Sequence, residues 1–284
     1  MHPDIPNSVD PEVANAYNEG IEKGQLRTDL GLIEFARTCE ILLEQLPPAP
    51  AVIYDIGGAY GEYAWWLAAH GYHVYLYDLA EKNIEMAHEM AIEYPGCSLC
   101  AMEIADARCI DRPAESADAI LLFGPLYHLF DTKERLLALR ECMRLLKPGG
   151  MLFAASITRY ATTLWATTTY GVSNELLSEP EFISMIEHEI KTGHHIKNPN
   201  SAYRGMLPSA YFCLPSELRD ELCEAGYEDV EVRGVIGPAW LVPNLTAQWG
   251  DKEKREHILH LVRITEKEEA IMGLSTHLLA MGRK

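Results

Sequence analysis

What the sequence lacks narrows it first. No apolar run approaches the length of a membrane span. Basic residues are scarce: 24 Lys and Arg stand against 42 Asp and Glu, a formal net charge of −18 at pH 7. A phosphate backbone is bound mainly through Lys and Arg, so neither nucleic acid nor a large anionic partner is expected. The first residues, Met1-His2-Pro3-Asp4-Ile5-Pro6, lack a basic segment followed by an apolar one. No secretory signal is expected, and a cytoplasmic location is. There is no internal repeat, low-complexity tract or long charged tail. The seven cysteines then read as free thiols. Cys97-Ser98-Leu99-Cys100 has C-x-x-C spacing, but no second such pair and no close histidine completes a metal set, so strand and turn packing is the reading for it. His194, His195 and His128 carry no metal-ligand spacing either, and no metal is expected.

What is present is a chain of 284 residues, 48% of them apolar, enough to bury a core as one large domain or a domain with an added lobe. The apolar run Ala51-Val52-Ile53-Tyr54 enters Asp55-Ile56-Gly57-Gly58-Ala59-Tyr60-Gly61, and the helical run Glu62 to His70 leaves it. A buried strand, a glycine turn and a helix make the nucleotide-binding corner of an open α/β sheet. A dinucleotide fingerprint wants Gly-x-Gly-x-x-Gly; counted from Gly57, its other two glycine positions are Ala59 and Glu62, so the fit is poor. The spacing from Asp55 is acidic-x-Gly-x-(Gly or Ala)-x-Gly. Asp78 ends the apolar strand Val74 to Tyr77 about twenty residues on, the interval of an acid that accepts from a ribose diol. A solvated turn or helix-capping aspartate is the plainer alternative for it. Asp106 is a weaker candidate of the same kind. Asp55 either faces a cationic amino group or bonds the amides of its own tight turn, and the two do not exclude each other.

Strand and helix then alternate. Pro11 to about Leu46 reads as two helices, with Leu32, Ile33, Phe35, Ala36, Ile41 and Leu42 as a buried stripe. Glu81 to Tyr94 reads as a helix ended by Pro95-Gly96, and a third strand should begin at Cys97. Asp131 is a candidate N-cap with Glu134 three residues later, opening a helix to Leu146. Met151 to Ile157, Val230 to Ile236 and His277 to Met281 are strands; Glu179 to Lys191 and Pro215 to Ala225 are helices. The alternation implies a largely parallel sheet covered on both faces.

Five stretches in order resemble the class I S-adenosylmethionine-dependent methyltransferases of small-molecule type. They are the Asp55–Gly61 turn, Val74-Tyr75-Leu76-Tyr77-Asp78, Ile104-Ala105-Asp106-Ala107, Ala119 to Leu129, and Leu145-Leu146-Lys147-Pro148-Gly149-Gly150. The resemblance covers roughly residues 12 to 284, and closely 50 to 157. It implies a Rossmann-like α/β fold: a seven-stranded, mostly parallel sheet whose last strand is antiparallel, with an N-terminal helical cap and a lid inserted after the fifth strand. The expected division is a cap over 1–46, a donor-binding core over 47–157, a lid over 158–226 and core-completing strands over 227–284. Ala59 departs from the commoner glycine, and its methyl would tighten the donor pocket.

The resemblance implies S-adenosyl-L-methionine as donor and S-adenosyl-L-homocysteine as product. It places the donor on the turn Gly57, Gly58, Ala59 and Gly61 with Asp55, the ribose on Asp78 beside Leu79, adenine on Asp106 and Ala107, and the donor amino group near Gly124 and Tyr127. Tyr17 would pack on the sulfonium by its aromatic face, and Arg37 would meet the donor carboxylate; packing and a surface ion pair are the plainer roles. Where a proton must leave the acceptor, histidine is the usual base. His195, in Thr192-Gly193-His194-His195-Ile196-Lys197-Asn198-Pro199, and His128, after the fourth strand, are the candidates. A solvent-facing loop histidine and a mere donor wall are the alternatives. Tyr203, Tyr211 and Trp240 are candidate acceptor walls, and aromatic density in the lid points to a flat or apolar acceptor. Oxygen or nitrogen is the expected acceptor atom, and monomer or homodimer stays open. A nicotinamide oxidoreductase, a protein or RNA methyltransferase, and a donor-binding partner subunit without catalysis remain rivals.

Overall fold

Strand β1 (Val52–Ile56) is the third strand of a seven-stranded sheet ordered β3-β2-β1-β4-β5-β9-β8 in the computed structural model, which describes residues 24–167, 175–196 and 209–284. The other strands are β2 (His73–Asp78), β3 (Ala101–Ile104), β4 (Ala117–Leu122), β5 (Leu146–Ile157), β8 (Glu228–Gly234) and β9 (His277–Arg283). Strands β1 to β5 pair in parallel. Only β9 is reversed: it runs antiparallel to both β5 and β8. The strand order turns back between β1 and β4, and the crevice beyond their carboxyl ends is where such sheets hold ligands.

Side chains alternate cleanly across the sheet. Ile53, Ala119, Leu121, Met151, Phe153, Leu279 and Met281 face one core. Tyr54, Ile56, Ile120, Leu122, Leu152, Ala154, Leu278 and Ala280 face the other. The period of two fixes the register, because a one-residue slip would exchange the two sets. Helices Asp29–Gln45, Glu62–Ala69, Glu81–Met90 and Lys252–Thr265 cover the first face. Helices Thr132–Leu145 and Pro215–Ala225 cover the second. The last of these, expected within the lid, buries Leu218 and Leu222 beside Leu139 and belongs to the core layer.

Local signals set most boundaries. Asp131 caps its helix by accepting from the Lys133 amide at 2.8 Å. Glu134 does not return the bond; its carboxylate takes Arg108 at 2.9 Å. Helix Glu81–Met90 tightens into a 3-10 turn over Ala91–Glu93, so it stops short of Tyr94. The third strand begins at Ala101, with Cys97 and Cys100 in the irregular chain before it. Between β5 and helix Pro215–Ala225 the described chain forms helices Ala161–Thr167 and Pro180–Thr192. A two-residue ladder follows, β6 (His194–His195) pairing antiparallel with β7 (Ala210–Tyr211). No helix among the described residues is long and apolar enough to cross a membrane.

Candidate active site

A cavity of about 380 Å³ opens at the carboxyl ends of β1, β4 and β5, a size typical of small-ligand sites, which run to roughly 300–1,000 Å³. Its floor is the glycine turn, Gly57, Gly58 and Ala59, with Phe123, Gly124 and Tyr127 after β4. Leu26, Leu30 and Glu34 roof it; Ala161, Trp165, His195 and Phe212 close one side, and Ile236, Trp240 and His277 the other.

The turn is left-handed at three places: Gly57 at φ 74°, Ala59 at φ 50° and Gly61 at φ 86°. At Gly57 a β-carbon would come within 2.4 Å of Pro125 Cδ, so the glycine lets the turn after β1 press against the loop after β4. At Gly58 a β-carbon would sit 2.5 Å from Asp55 Oδ2. Asp55 therefore lies behind the turn, fully buried and outside the cavity walls. Neither of its oxygens has a hydrogen bond of full geometry. Burial first, then the Asp78 carboxylate, push its pKa up to about 7, and the nearby Ala64 amide offsets this slightly. Asp55 thus stands behind the turn, with the turn's backbone between its carboxyl and the cavity.

Asp78 is committed to its surroundings. Its Oδ2 accepts the Ala59 amide at 2.9 Å; its Oδ1 accepts the Ala80 amide at 2.9 Å and Asn83 Nδ2 at 3.0 Å. Burial raises its pKa against those bonds. Asp106 is held by Arg108, Nη2 to Oδ2 at 2.6 Å. Burial works against its charge, but the Arg108 bonds keep the carboxyl below the usual range. Asp78, Leu79, Asp106 and Ala107 do not line the cavity, and Leu79 is exposed.

The lid delivers His195. Helix Pro180–Thr192 ends at Gly193, whose φ of 80° turns the chain back. Gly193 donates to Glu189 O at 2.7 Å and accepts the Phe212 amide at 2.6 Å. His195 then folds over its own helix end. Its Nδ1 lies 3.2 Å from Glu189 Oε2, and both side chains are 1% exposed. Phe212 stacks on the ring at 5.0 Å. A carboxylate can only accept, so in the neutral imidazole Nδ1 carries the proton and Nε2 presents a lone pair. Nε2 is buried without a partner among the described residues, and His195 lines the cavity.

Other expected residues lie elsewhere. His128 is half-exposed at its surface but buried at its ring nitrogens; burial pushes its pKa down to about 3, and Tyr127, not His128, reaches the cavity. Tyr211 turns away, under the Arg135 guanidinium at 3.8 Å, and Phe212 takes the wall instead. Arg37 is buried in an ion-pair network with Glu266, Nε to Oε2 at 2.7 Å, and meets no cavity wall. Trp240 does line the cavity. Tyr17 and Tyr203 lie outside the described residues.

Three ionisable wall residues escaped the sequence reading: Glu34, Glu62 and His277. His277 Nδ1 lies 2.7 Å from Glu34 Oε1. Glu62 is ion-paired with Arg27 through Oε1, and its Oε2 is buried without a partner among the described residues. Each sat in an element the periodicity had found, but no local spacing joins Glu34 to His277. Among the described residues no group of three His, Cys, Asp or Glu is placed to hold a metal.

The residues present fit the donor that the motifs imply. A tight turn with a β-carbon at Ala59 but none at Gly57 or Gly58 meets a buried, poorly satisfied carboxylate behind it, which suits a ligand with cationic centres. A model of a methyltransferase domain matches residues 53–150. A ubiquinone biosynthesis O-methyltransferase of Xanthomonas axonopodis pv. citri is 27% identical over 204 residues, 71% of this chain and 72% of that protein. A protein of the same name from Caulobacter vibrioides is 32% identical over 107 residues, 38% of this chain and 41% of that protein. Among solved structures, an S-adenosylmethionine-dependent methyltransferase of Methanosarcina mazei superposes with TM-score 0.55 at 18% identity, covering 86% of this chain and 96% of that one. One from Mesorhizobium loti gives TM-score 0.55 at 18% identity, covering 89% and 100%. At such identity the structural likeness is one of fold.

Proposed function

The chain is a class I S-adenosylmethionine-dependent methyltransferase, and from that premise we propose that it methylates a hydroxyl of a small molecule, with His195 as the base. The observation that carries this is the buried His195–Glu189 pair, whose histidine lines the cavity that the glycine turn floors and whose outer nitrogen has no partner among the described residues. The names of the two relatives, both O-methyltransferases, support oxygen over nitrogen.

Gly57, Gly58, Ala59 and Gly124 would hold the donor along the floor, Asp78 its ribose, and Tyr127 would flank it. When bound, S-adenosylmethionine supplies a methyl group made electrophilic by its sulfonium. Everything else falls to the protein. The walls Phe123, Trp165, Phe212 and Trp240 exclude water and hold a flat acceptor in line, which is the main requirement of a displacement of this kind. His195 Nε2 takes the hydroxyl proton, and Glu189 stabilises the imidazolium that forms. Asp55 contributes negative potential from behind the turn. The formal charge of −18 speaks against an RNA substrate.

The test begins with calorimetric titration of the protein with S-adenosylhomocysteine, NADH serving as control. Micromolar binding of the first alone is expected. Binding of NADH instead would sink the reading. A screen of phenols and amines, read by S-adenosylhomocysteine release, should then find a hydroxyl acceptor whose turnover drops in His195→Ala while S-adenosylhomocysteine affinity stays within about threefold. Loss of donor binding with unchanged turnover at saturation would remove His195 from the role of base.

A further inference from the structure

Glu34 and His277 come from opposite ends of the chain and meet at the cavity wall. Glu34 stands on helix Asp29–Gln45; His277 opens β9, paired with Ile157 at the end of β5. Their side chains approach to 2.7 Å and are 17% and 31% exposed, so the pair belongs to the wall and is sealed neither in the core nor on the outer surface. His195 reaches the same cavity from the lid. The cavity wall therefore carries one whole histidine–carboxylate pair and the histidine of a second, whose carboxylate, Glu189, lies behind it; the two come from different parts of the fold.

Only one of them is needed to take the proton of the methylated group. Resting on the reading above, we infer that Glu34 holds a second group of the acceptor, an ammonium, so that the substrate class is a hydroxylated amine. A carboxylate accepts at up to about four lone-pair sites, and His277 occupies one of them. Whatever else Glu34 binds must donate. An ammonium donates three hydrogens and carries the opposite charge, and charge-assisted bonds are roughly twice as strong as neutral ones. His277 fixes the carboxylate on the wall, so its remaining lone pairs are oriented before the ligand arrives. Glu62 adds a second carboxylate to the same lining. An acceptor bearing a carboxylate or phosphate at that place would meet repulsion.

The test uses three probes that share a phenol and differ at the far end: tyramine, 4-ethylphenol and 4-hydroxyphenylacetate. Each is titrated calorimetrically into full-length protein saturated with S-adenosylhomocysteine. Tyramine is expected to bind at least about tenfold more tightly than 4-ethylphenol, with 4-hydroxyphenylacetate weakest. Glu34→Gln should bring the three within about threefold of one another and leave S-adenosylhomocysteine affinity unchanged; Glu34→Asp should restore part of the order. Equal or tighter binding of the acid by the wild-type protein overturns the inference whatever the variants do. So does an order that survives Glu34→Gln, or no binding of any probe to the saturated protein. Loss of S-adenosylhomocysteine binding in Glu34→Gln alone, with a wild-type melting profile, would assign Glu34 to the donor. No S-adenosylhomocysteine binding by the wild type would instead overturn the methyltransferase reading, and the inference with it.

Discussion

The Asp78 carboxylate accepts the Ala59 amide at 2.9 Å, tying the end of β2 to the middle of the glycine turn. Three hydrogen bonds already use most of what a carboxylate can accept. A ribose on Asp78 thus either takes the remaining lone pair or displaces one of these partners. On the proposed reading the residue has two jobs, and its removal should show both. Asp78→Ala is expected to weaken S-adenosylhomocysteine binding by about 1–3 kcal/mol, the range for a charged hydrogen-bonding partner, and to lower stability by a similar amount because buried amides lose their acceptor. Calorimetry and thermal melting separate the two. A variant that melts like wild type but binds weakly would mean the Ala59 bond is dispensable to the turn.

Asp55 should make stability fall with rising pH. Its folded pKa is raised to about 7 from an ordinary 3.8, by burial and by Asp78. A raised carboxyl favours the folded state while it stays protonated. Its contribution is full below about pH 4 and is lost as the pH rises through 7. Between pH 5 and 8 the free protein should lose about 2–3 kcal/mol from this group, and Asp55→Asn should abolish most of that loss. Ligand binding should run the other way, tightening as Asp55 ionises, because the cationic amino group of S-adenosylhomocysteine favours the charged acid. Melting curves and titrations at pH 5, 6.5 and 8 test both signs. An Asp55→Asn protein whose stability falls as steeply as wild type would refute the assignment.

Arg37 is a clamp. It makes a two-point contact with Glu266, 2.7 and 3.0 Å, and Glu266 also takes Arg233 at 3.0 Å. Helix Asp29–Gln45 is thereby locked to β8 and to the end of helix Lys252–Thr265. Breaking a buried pair by removing one partner costs about 3–5 kcal/mol, and the remaining Arg233 should hold the loss near the lower figure. Arg37→Ala is expected to melt earlier by that measure and to bind S-adenosylhomocysteine within about twofold of wild type when assayed well below its melting temperature. A large loss of affinity in a stable variant would restore Arg37 to the donor carboxylate.

The fold was legible because its signals are local. Continuous apolar runs marked β1, β2, β4 and β5, and Gly226, at φ 104°, ended helix Pro215–Ala225 where its sequence says it should. Where expected site residues lie elsewhere, the reason is often a partner. Asp106 is intercepted by Arg108, two residues on, and Arg37 by Glu266, far along the chain. Composition gives no hint of either pairing. Tyr211 and Phe212 show how narrow the margin is. Adjacent residues of an extended chain face opposite ways, so the tyrosine goes to Arg135 and the phenylalanine to the cavity. Glu189 was within reach of inference: a helix closed by a left-handed glycine folds the next residues back over its last turn, where a carboxylate six positions before His195 waits.

That last pairing supports the most discriminating variant. Glu189→Gln keeps size and hydrogen-bonding capacity but lets the side-chain amide donate as well as accept. His195 Nδ1 is then no longer obliged to hold the proton, and the imidazolium formed during turnover loses its counter-charge. Positioned base catalysis is worth about 10²–10⁴-fold, so a loss of about 10- to 100-fold in kcat is expected, with donor affinity and melting temperature nearly unchanged. Gly193→Ala offers a geometric control that changes neither the His195 nor the Glu189 side chain chemically. A β-carbon there would meet Phe212 O at 2.6 Å, so the turn must open and carry His195 away from Glu189. If Gly193→Ala and Glu189→Gln lower kcat alike while His195→Ala costs no more than either, the pair acts as one unit. If Glu189→Gln turns over like wild type, His195 works without it, and the carboxylate only holds the lid.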